Sequence, residues 1–191
     1  MTGTPFFVRP ATEEDVFRIA EIHVAAWRET YTEILPPAML SRLSIGNRAA
    51  MWQRALDGNE SGTIGIMVAE VGADIMGFGS CGPQRRATLK ERGFDGEFYA
   101  IYVLRAAQRR GIGTALMGAL AKGLSDRGFA GASLWVLREN HGARRFYERI
   151  GGEVVGKKED VRDGDTLHEV AYGWRDLTML LNPPCRAYVK P

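Results

Sequence analysis

The feature that most constrains this chain is a change of hydrophobic period between residues 97 and 127. Glu97-Phe98-Tyr99-Ala100-Ile101-Tyr102-Val103 is rich in aromatic and β-branched residues and reads as a strand. Ile112, Leu116, Leu120 and Leu124 then recur at helical spacing, and Gly128 ends the pattern, so a helix is expected from Ile112 to Arg127. Between them lies Gln108-Arg109-Arg110-Gly111-Ile112-Gly113-Thr114. Backbone N–H groups at a helix start have no intrahelical partner and attract anions. Glycines let a phosphate approach the main chain without a Cβ in the way. Two arginines add charge-assisted hydrogen bonds. Strand, glycine loop, arginine pair and helix start together predict a diphosphate cradle. The plainer alternative is a connection whose glycines only permit a tight turn, and the arginine pair argues against it.

Two familiar phosphate loops are excluded. A Walker loop needs Gly-Lys-Ser/Thr after four intervening residues, and no such run occurs. The dinucleotide fingerprint needs a third glycine where this chain has Leu116.

The other elements are read from period and punctuation. Phe6 to Arg9 is a short strand ended by Pro10. Thr12-x-x-Asp15 is a capping pattern for a helix from Glu13 to about Glu29, with Val16, Ile19, Ala20, His23 and Trp27 on its apolar face. Pro36-Pro37 starts a short helix through Leu43, and another runs from Asn47 to Leu56. Thr63 to Val71 and Asp74 to Cys81 form a hairpin, and residues 84–95 read as a charged surface loop. Ala132 to Leu137 is a strand, and Asn140 to Ile150 a helix stopped by Gly151-Gly152. Glu153 to Lys157 and Leu167 to Asp176 form a last hairpin around Asp163-Gly164, followed by a tail from Asn182. The order predicts one α/β domain of the α+β type over residues 1–181, with a mixed central sheet of about seven strands flanked by helices.

Composition narrows function by exclusion. A net charge of +2 over 191 residues gives no case for nucleic acid or membrane as partner. Two cysteines, Cys81 and Cys185, exclude a disulfide framework and make a metal site improbable. No apolar run nears the roughly 18 residues of a membrane span, and the start lacks a signal-peptide layout, so a cytoplasmic setting is expected.

The strand at Glu97–Val103 with Gln108-Arg109-Arg110-Gly111-Ile112-Gly113 resembles the central motif of the GCN5-related N-acetyltransferase (GNAT) family, Q/R-x-x-G-x-G/A after a strand ending in a Tyr-Val-like pair. Arg138-Glu139-Asn140 to Phe146-Tyr147-Glu148-Arg149-Ile150-Gly151 resembles the family's second motif, and Val8 to Asp15 its common start. One departure is Arg105, at a position where many members carry proline. The resemblance implies a sheet whose two central strands splay apart, with acetyl-coenzyme A as cosubstrate in the gap. It implies that amides of Arg109, Arg110, Gly111, Ile112, Gly113 and Thr114 hold the diphosphate. The pantetheine arm would pair with the strand at Ile101, Tyr102 and Val103.

The implied activity is direct transfer of an acetyl group to a primary amine in a ternary complex. The alternative is a catalytically idle acyl-coenzyme A-binding or regulatory module of the same fold. Transfer requires a neutral amine, although a lysine-like amine has a pKa of about 10.4. It also requires stabilisation of developing oxyanion charge and a proton for the leaving thiolate. By resemblance Tyr147 is the acid, and it shares a helix face with Asn140 seven residues earlier. Asn140 serves as helix N-cap, as cofactor contact, or as both. Glu97 is either a solvated strand-end carboxylate or the base, acting directly or through water. Alternation places it on one face with Tyr99, Ile101 and Val103. The resemblance points to Trp27, Tyr31 and the Glu29–Leu35 segment for the acceptor, a small-molecule amine or a peptide or protein amine, while His23 reads as a satisfied core histidine. Arg85-Arg86 is a solvated pair or reaches the cofactor's distal phosphate. No metal is expected, and the resemblance allows a homodimer.

Overall fold

Seven strands form one sheet in the order β1-β2-β3-β4-β5-β7-β6. The computed structural model describes residues 5–58, 65–162 and 165–181. The expected strand start at Thr63, the turn at Asp163-Gly164 and the tail from Asn182 lie outside these residues. The strands are β1 (Phe6–Pro10), β2 (Gly65–Val71), β3 (Asp74–Pro83), β4 (Gly96–Val103), β5 (Ala132–Leu137), β6 (Glu153–Arg162) and β7 (Asp165–Trp174). The helices are α1 (Val16–Tyr31), α2 (Pro37–Ser41), α3 (Ile45–Leu56), α4 (Ala87–Lys90), α5 (Ile112–Ser125), α6 (His141–Arg149) and α7 (Thr178–Leu181).

The Thr12–Asp15 capping pattern forms, and Thr12 N–H donates to Asp15 Oδ2 at 2.7 Å. It opens a 3-10 turn, Glu13–Asp15, rather than the helix itself. Arg9 explains the turn: it grips Asp15 through both terminal nitrogens at 2.7 and 2.9 Å and also bonds Glu70, tying β1, the turn and β2 together. The helix before β2 starts earlier than Asn47, because Ser44 Oγ accepts from Asn47 N–H as N-cap. Residues 84–95 are not a plain surface loop, since α4 and the buried Leu89 and Phe94 pack there with Val155 and Ala171. The final hairpin is longer than its sequence suggests. Lys157 to Arg162 shows no hydrophobic alternation, yet it is held by pairing to β7.

Two layers of helix sandwich the sheet. α5 and Tyr147 of α6 pack with Phe98, Leu134, Val136, Tyr172 and Trp174 on one face. α1 and α3 pack with Val68, Phe78 and Ala100 on the other. Every adjacent pair of strands is antiparallel except β4 and β5. That parallel pair is joined only at Gly96↔Ala132 and Glu97↔Ser133. Beyond these rungs the strands diverge, so the splay implied by the resemblance is present. A cleft opens at the carboxyl ends of two parallel strands, which is where open sheets place ligands.

Candidate functional site

Strand β4 forms one wall of the cleft and carries an irregularity that sequence alternation does not show. Opposite β3, Ala100 pairs with Ser80 but Phe98 pairs with Cys81, so Tyr99 is an extra residue in a β-bulge. The bulge reverses the parity of the strand. Phe98 and Ile101 both pack in the α5-side cluster, whereas Ala100 and Tyr102 face α1 and α3. Glu97 therefore does not share a face with Ile101 and Val103.

The cleft has a volume of about 610 Å³. Ile101, Tyr102 and Val103 line one side, and Arg109, Gly111, Ile112, Gly113 and Thr114 close one end. Asn140 and Tyr147 come from α6, and Tyr31 from α1. The structure thus gathers most of the residues singled out in sequence around one space. Three are not in its walls. Arg110 is not among the lining residues. Trp27 stands behind the wall, donating its Nε1–H to Tyr102 Oη at 2.9 Å. Glu97 is buried outside the cleft, and both its oxygens are taken by Arg85. Arg85 Nη2 donates to Oε1 at 2.6 Å, and Arg85 N–H donates to Oε2 at 3.0 Å. Glu97 is thus engaged by Arg85 and does not itself line the cleft.

The glycine loop has the geometry its composition suggests. Gly111 adopts φ +88° and Arg109 φ +62°, left-handed values that are costly for arginine. The first α5 bond runs from Ala115 N–H to Gly111 O, which leaves the amides of Ile112, Gly113 and Thr114 without helical partners. A Cβ on Gly113 would lie 3.2 Å from the Phe146 ring, so glycine keeps this end open. Arg105 accounts for its own departure from proline. Its N–H donates to Glu29 Oε2 at 2.8 Å, a bond proline cannot make, and its guanidinium donates to Glu29 O at 2.6 Å. Loop, helix start and the strand edge of β4 fit the diphosphate and amide arm of coenzyme A.

Tyr147 is buried, and removal from water pushes its phenol above the ordinary value, so it stays protonated. Its ring packs edge-on against Trp174. Asn140 caps α6 by accepting from Ala143 N–H at 3.1 Å and also hydrogen-bonds Tyr31. Tyr31 is likewise raised by burial. His23 is a satisfied core residue. Its Nδ1 accepts from Trp52 Nε1–H at 3.2 Å, its ring stacks on Tyr102, and burial lowers its pKa to about 3. Cys81 is a free, buried thiol pushed up to about 12. No group of three or more metal-ligating side chains occurs among the described residues.

Sequence reasoning missed Tyr99 and Trp135, which also line the cleft, as does Glu29 at the start of the Glu29–Leu35 segment. The bulge hides Tyr99, and Trp135 becomes wall only because β5 leaves β4. Arg85 lies near Glu97 at the start of β4, and the phosphate loop follows its end. Seven residues of strand, about 23 Å, separate the two, so Arg85 does not serve the distal phosphate.

A mixed sheet between two helix layers, with a single splayed parallel pair and a glycine cradle beyond it, defines the acetyltransferase class of fold. The Acetyltransferase (GNAT) family model matches residues 18–152, and the chain belongs to that family. It is 37% identical over 174 residues to the uncharacterized N-acetyltransferase YuaI of Bacillus subtilis, covering 91% of this chain and 95% of the relative. The fold is shared with the paia N-acetyltransferase of Thermoplasma acidophilum, solved in complex with coenzyme A. That likeness has a TM-score of 0.67 and 18% identity, and covers 86% of this chain and 98% of the other. It is shared also with yncA of Salmonella typhimurium, solved with acetyl-CoA, at TM-score 0.64 and 20% identity over 89% and 93% of the two chains. No helix among the described residues is long and apolar enough to cross a membrane.

Proposed function

We propose that this chain is an acetyl-coenzyme A-dependent N-acetyltransferase acting on a primary amine by direct attack in a ternary complex. The observation that carries the reading is the fork between β4 and β5, with Tyr147 in its wall and the amides of Ile112, Gly113 and Thr114 at its end. Acetyl-coenzyme A supplies the acyl group as a thioester. The loop amides and Arg109 bind the diphosphate. The β4 edge at Ile101, Tyr102 and Val103 pairs with the amide arm as an added strand. A main-chain N–H near Ile101 or Tyr102 stabilises the charge that develops on the thioester oxygen. Tyr147 keeps its proton until the thiolate leaves, then delivers it. Asn140 orients Tyr31 and holds the α6 side of the cleft.

The base is not assigned to Glu97, whose partner is Arg85. Among the described residues Glu29 is the one carboxylate lining the cleft, and it accepts from Arg105 N–H. The amine therefore loses its proton to water, and turnover rises with pH as the acceptor deprotonates. We take residues 1–181 as one catalytic domain with 182–191 as a tail, in a cytoplasmic setting that suits the free thiol of Cys81.

The test is thiol release from acetyl-coenzyme A over a panel of amines, with coenzyme A affinity measured in parallel. Turnover on at least one amine is expected. Saturable binding without thiol release on any amine would favour an idle binding module instead.

A further inference from the structure

Just past the last rung joining β4 and β5, Tyr99 and Trp135 line the cleft on the face away from α5. Each ring carries a cation. The Arg85 guanidinium lies 4.1 Å from the Tyr99 centroid, and the Lys158 ammonium 4.6 Å from that of Trp135. Each cation also rests on a carboxylate, Arg85 on Glu97 at 2.6 Å and Lys158 on Glu169 at 2.7 Å. The carboxylates lie beneath, with side chains 3% exposed for Glu97 and 13% for Glu169, while Arg85 is 62% exposed. A molecule entering here meets aromatic surface and positive charge, not carboxylate.

We propose that Arg85 selects the acceptor and that the site takes amines which also carry a carboxylate. The inference rests on the transferase reading above and adds the substrate class. Arginine suits the task because its planar fork matches a carboxylate. Glu97 and Tyr99 hold that fork in one orientation, so little side-chain freedom is lost on binding. Lys158, over Trp135 and paired with Glu169, is a second cation on the β5 side. A polyamine meets two cations at the mouth and is rejected. The acceptor's carboxylate stays at Arg85 while its nitrogen reaches the thioester. One C–N bond forms, one C–S bond breaks, the thiolate takes a proton from Tyr147, and the proton the amine gives to water is returned through water to the Tyr147 phenolate.

The test measures thiol release for the L-α-amino acids, β-alanine and γ-aminobutyrate, each beside its own carboxamide, and for spermidine. At least one acid is expected to exceed its amide in kcat/KM by about tenfold or more, the worth of a charge-assisted hydrogen bond. The amide's amine is the less basic, so protonation works against this preference. Arg85→Gln is expected to raise KM for that acid about tenfold with kcat and coenzyme A affinity held. It leaves Glu97 buried without its partner, so the pair Arg85→Gln/Glu97→Gln is measured beside it, and Arg85→Lys retains part of the preference. Equal rates for acids and amides, good turnover of spermidine, or acid preference surviving in the folded double variant overturns the assignment and leaves the transferase standing. Coenzyme A binding with no thiol release from any amine overturns the transferase reading, and this inference with it.

Discussion

Tyr147 illustrates how a single side chain acquires its chemistry from where it is buried. Desolvation disfavours the phenolate, so the hydroxyl remains a proton donor throughout the neutral range. Tyr147→Phe is expected to lower kcat on the order of 10²-fold while coenzyme A affinity is unchanged. An unaltered rate across the pH range would remove Tyr147 as the acid. His23 shows the same force acting on stability. Its pKa falls from 6.5 to about 3 in the native state, chiefly through burial and then through Arg48. Above pH 6.5 the ring is neutral in both states and the effect is nil. Between 6.5 and 3 the unfolded chain takes the proton and the native one does not. Stability therefore falls on acidification, by up to about 1.4 kcal/mol per pH unit from this group. Urea melts from pH 7 to 4.5 should show a shallower acid limb in His23→Asn, and an equally steep limb would clear His23. The burial of His23 was legible from its place on the apolar face of α1. The pairing of Glu97 with Arg85 was not, because eleven residues of intervening chain show nothing of which side chains meet.

At the scale of elements, the phosphate loop was the most legible part. Its function depends on local features, namely glycine, charge and a helix start, all contiguous in sequence. Gly111→Glu places a side chain at φ +88° and a negative charge beside the cradle, so coenzyme A affinity should collapse, by about 100-fold or more. Gly113→Val, which drives a side chain toward Phe146, should weaken affinity at an ordinary φ. Calorimetry on folded variants checks both, and wild-type affinity in Gly111→Glu would refute the cradle. The neighbouring strand was less legible. Counting by twos along β4 assigns Glu97 to the face of Ile101, and one bulged residue at Tyr99 reverses that assignment. A bulge depends on the register of the partner strand, here β3, and leaves no mark in β4 itself. Arg105 is intermediate. Its departure from proline was visible, but its reason, the bond to Glu29 76 residues away, needed the fold.

At the scale of the molecule, the site exists because two strands that begin as neighbours part. β4 is bonded to β3 along its length but to β5 at two rungs only, so the edge beyond Glu97 lacks a partner strand. Coenzyme A should supply that partner. Hydrogen exchange of the Ile101–Val103 segment is expected to slow by about tenfold or more on adding saturating coenzyme A, with β2 as the unchanged control. Equal exchange with and without the ligand would place the arm elsewhere. From sequence alone came the identity and order of the main elements, the anion-binding loop, the α6 cap at Asn140 and the family resemblance. These rest on periodicity, capping and glycine chemistry, which act over a few neighbouring residues. Only the tertiary structure decided the bulge, the place of Trp27 behind the wall, and the joining of Arg85, Glu97, Tyr99 and Trp135 at one mouth. Those depend on strand register and on contacts between distant segments, whose free energy is shared across the whole packed sheet and is written in no single stretch of chain.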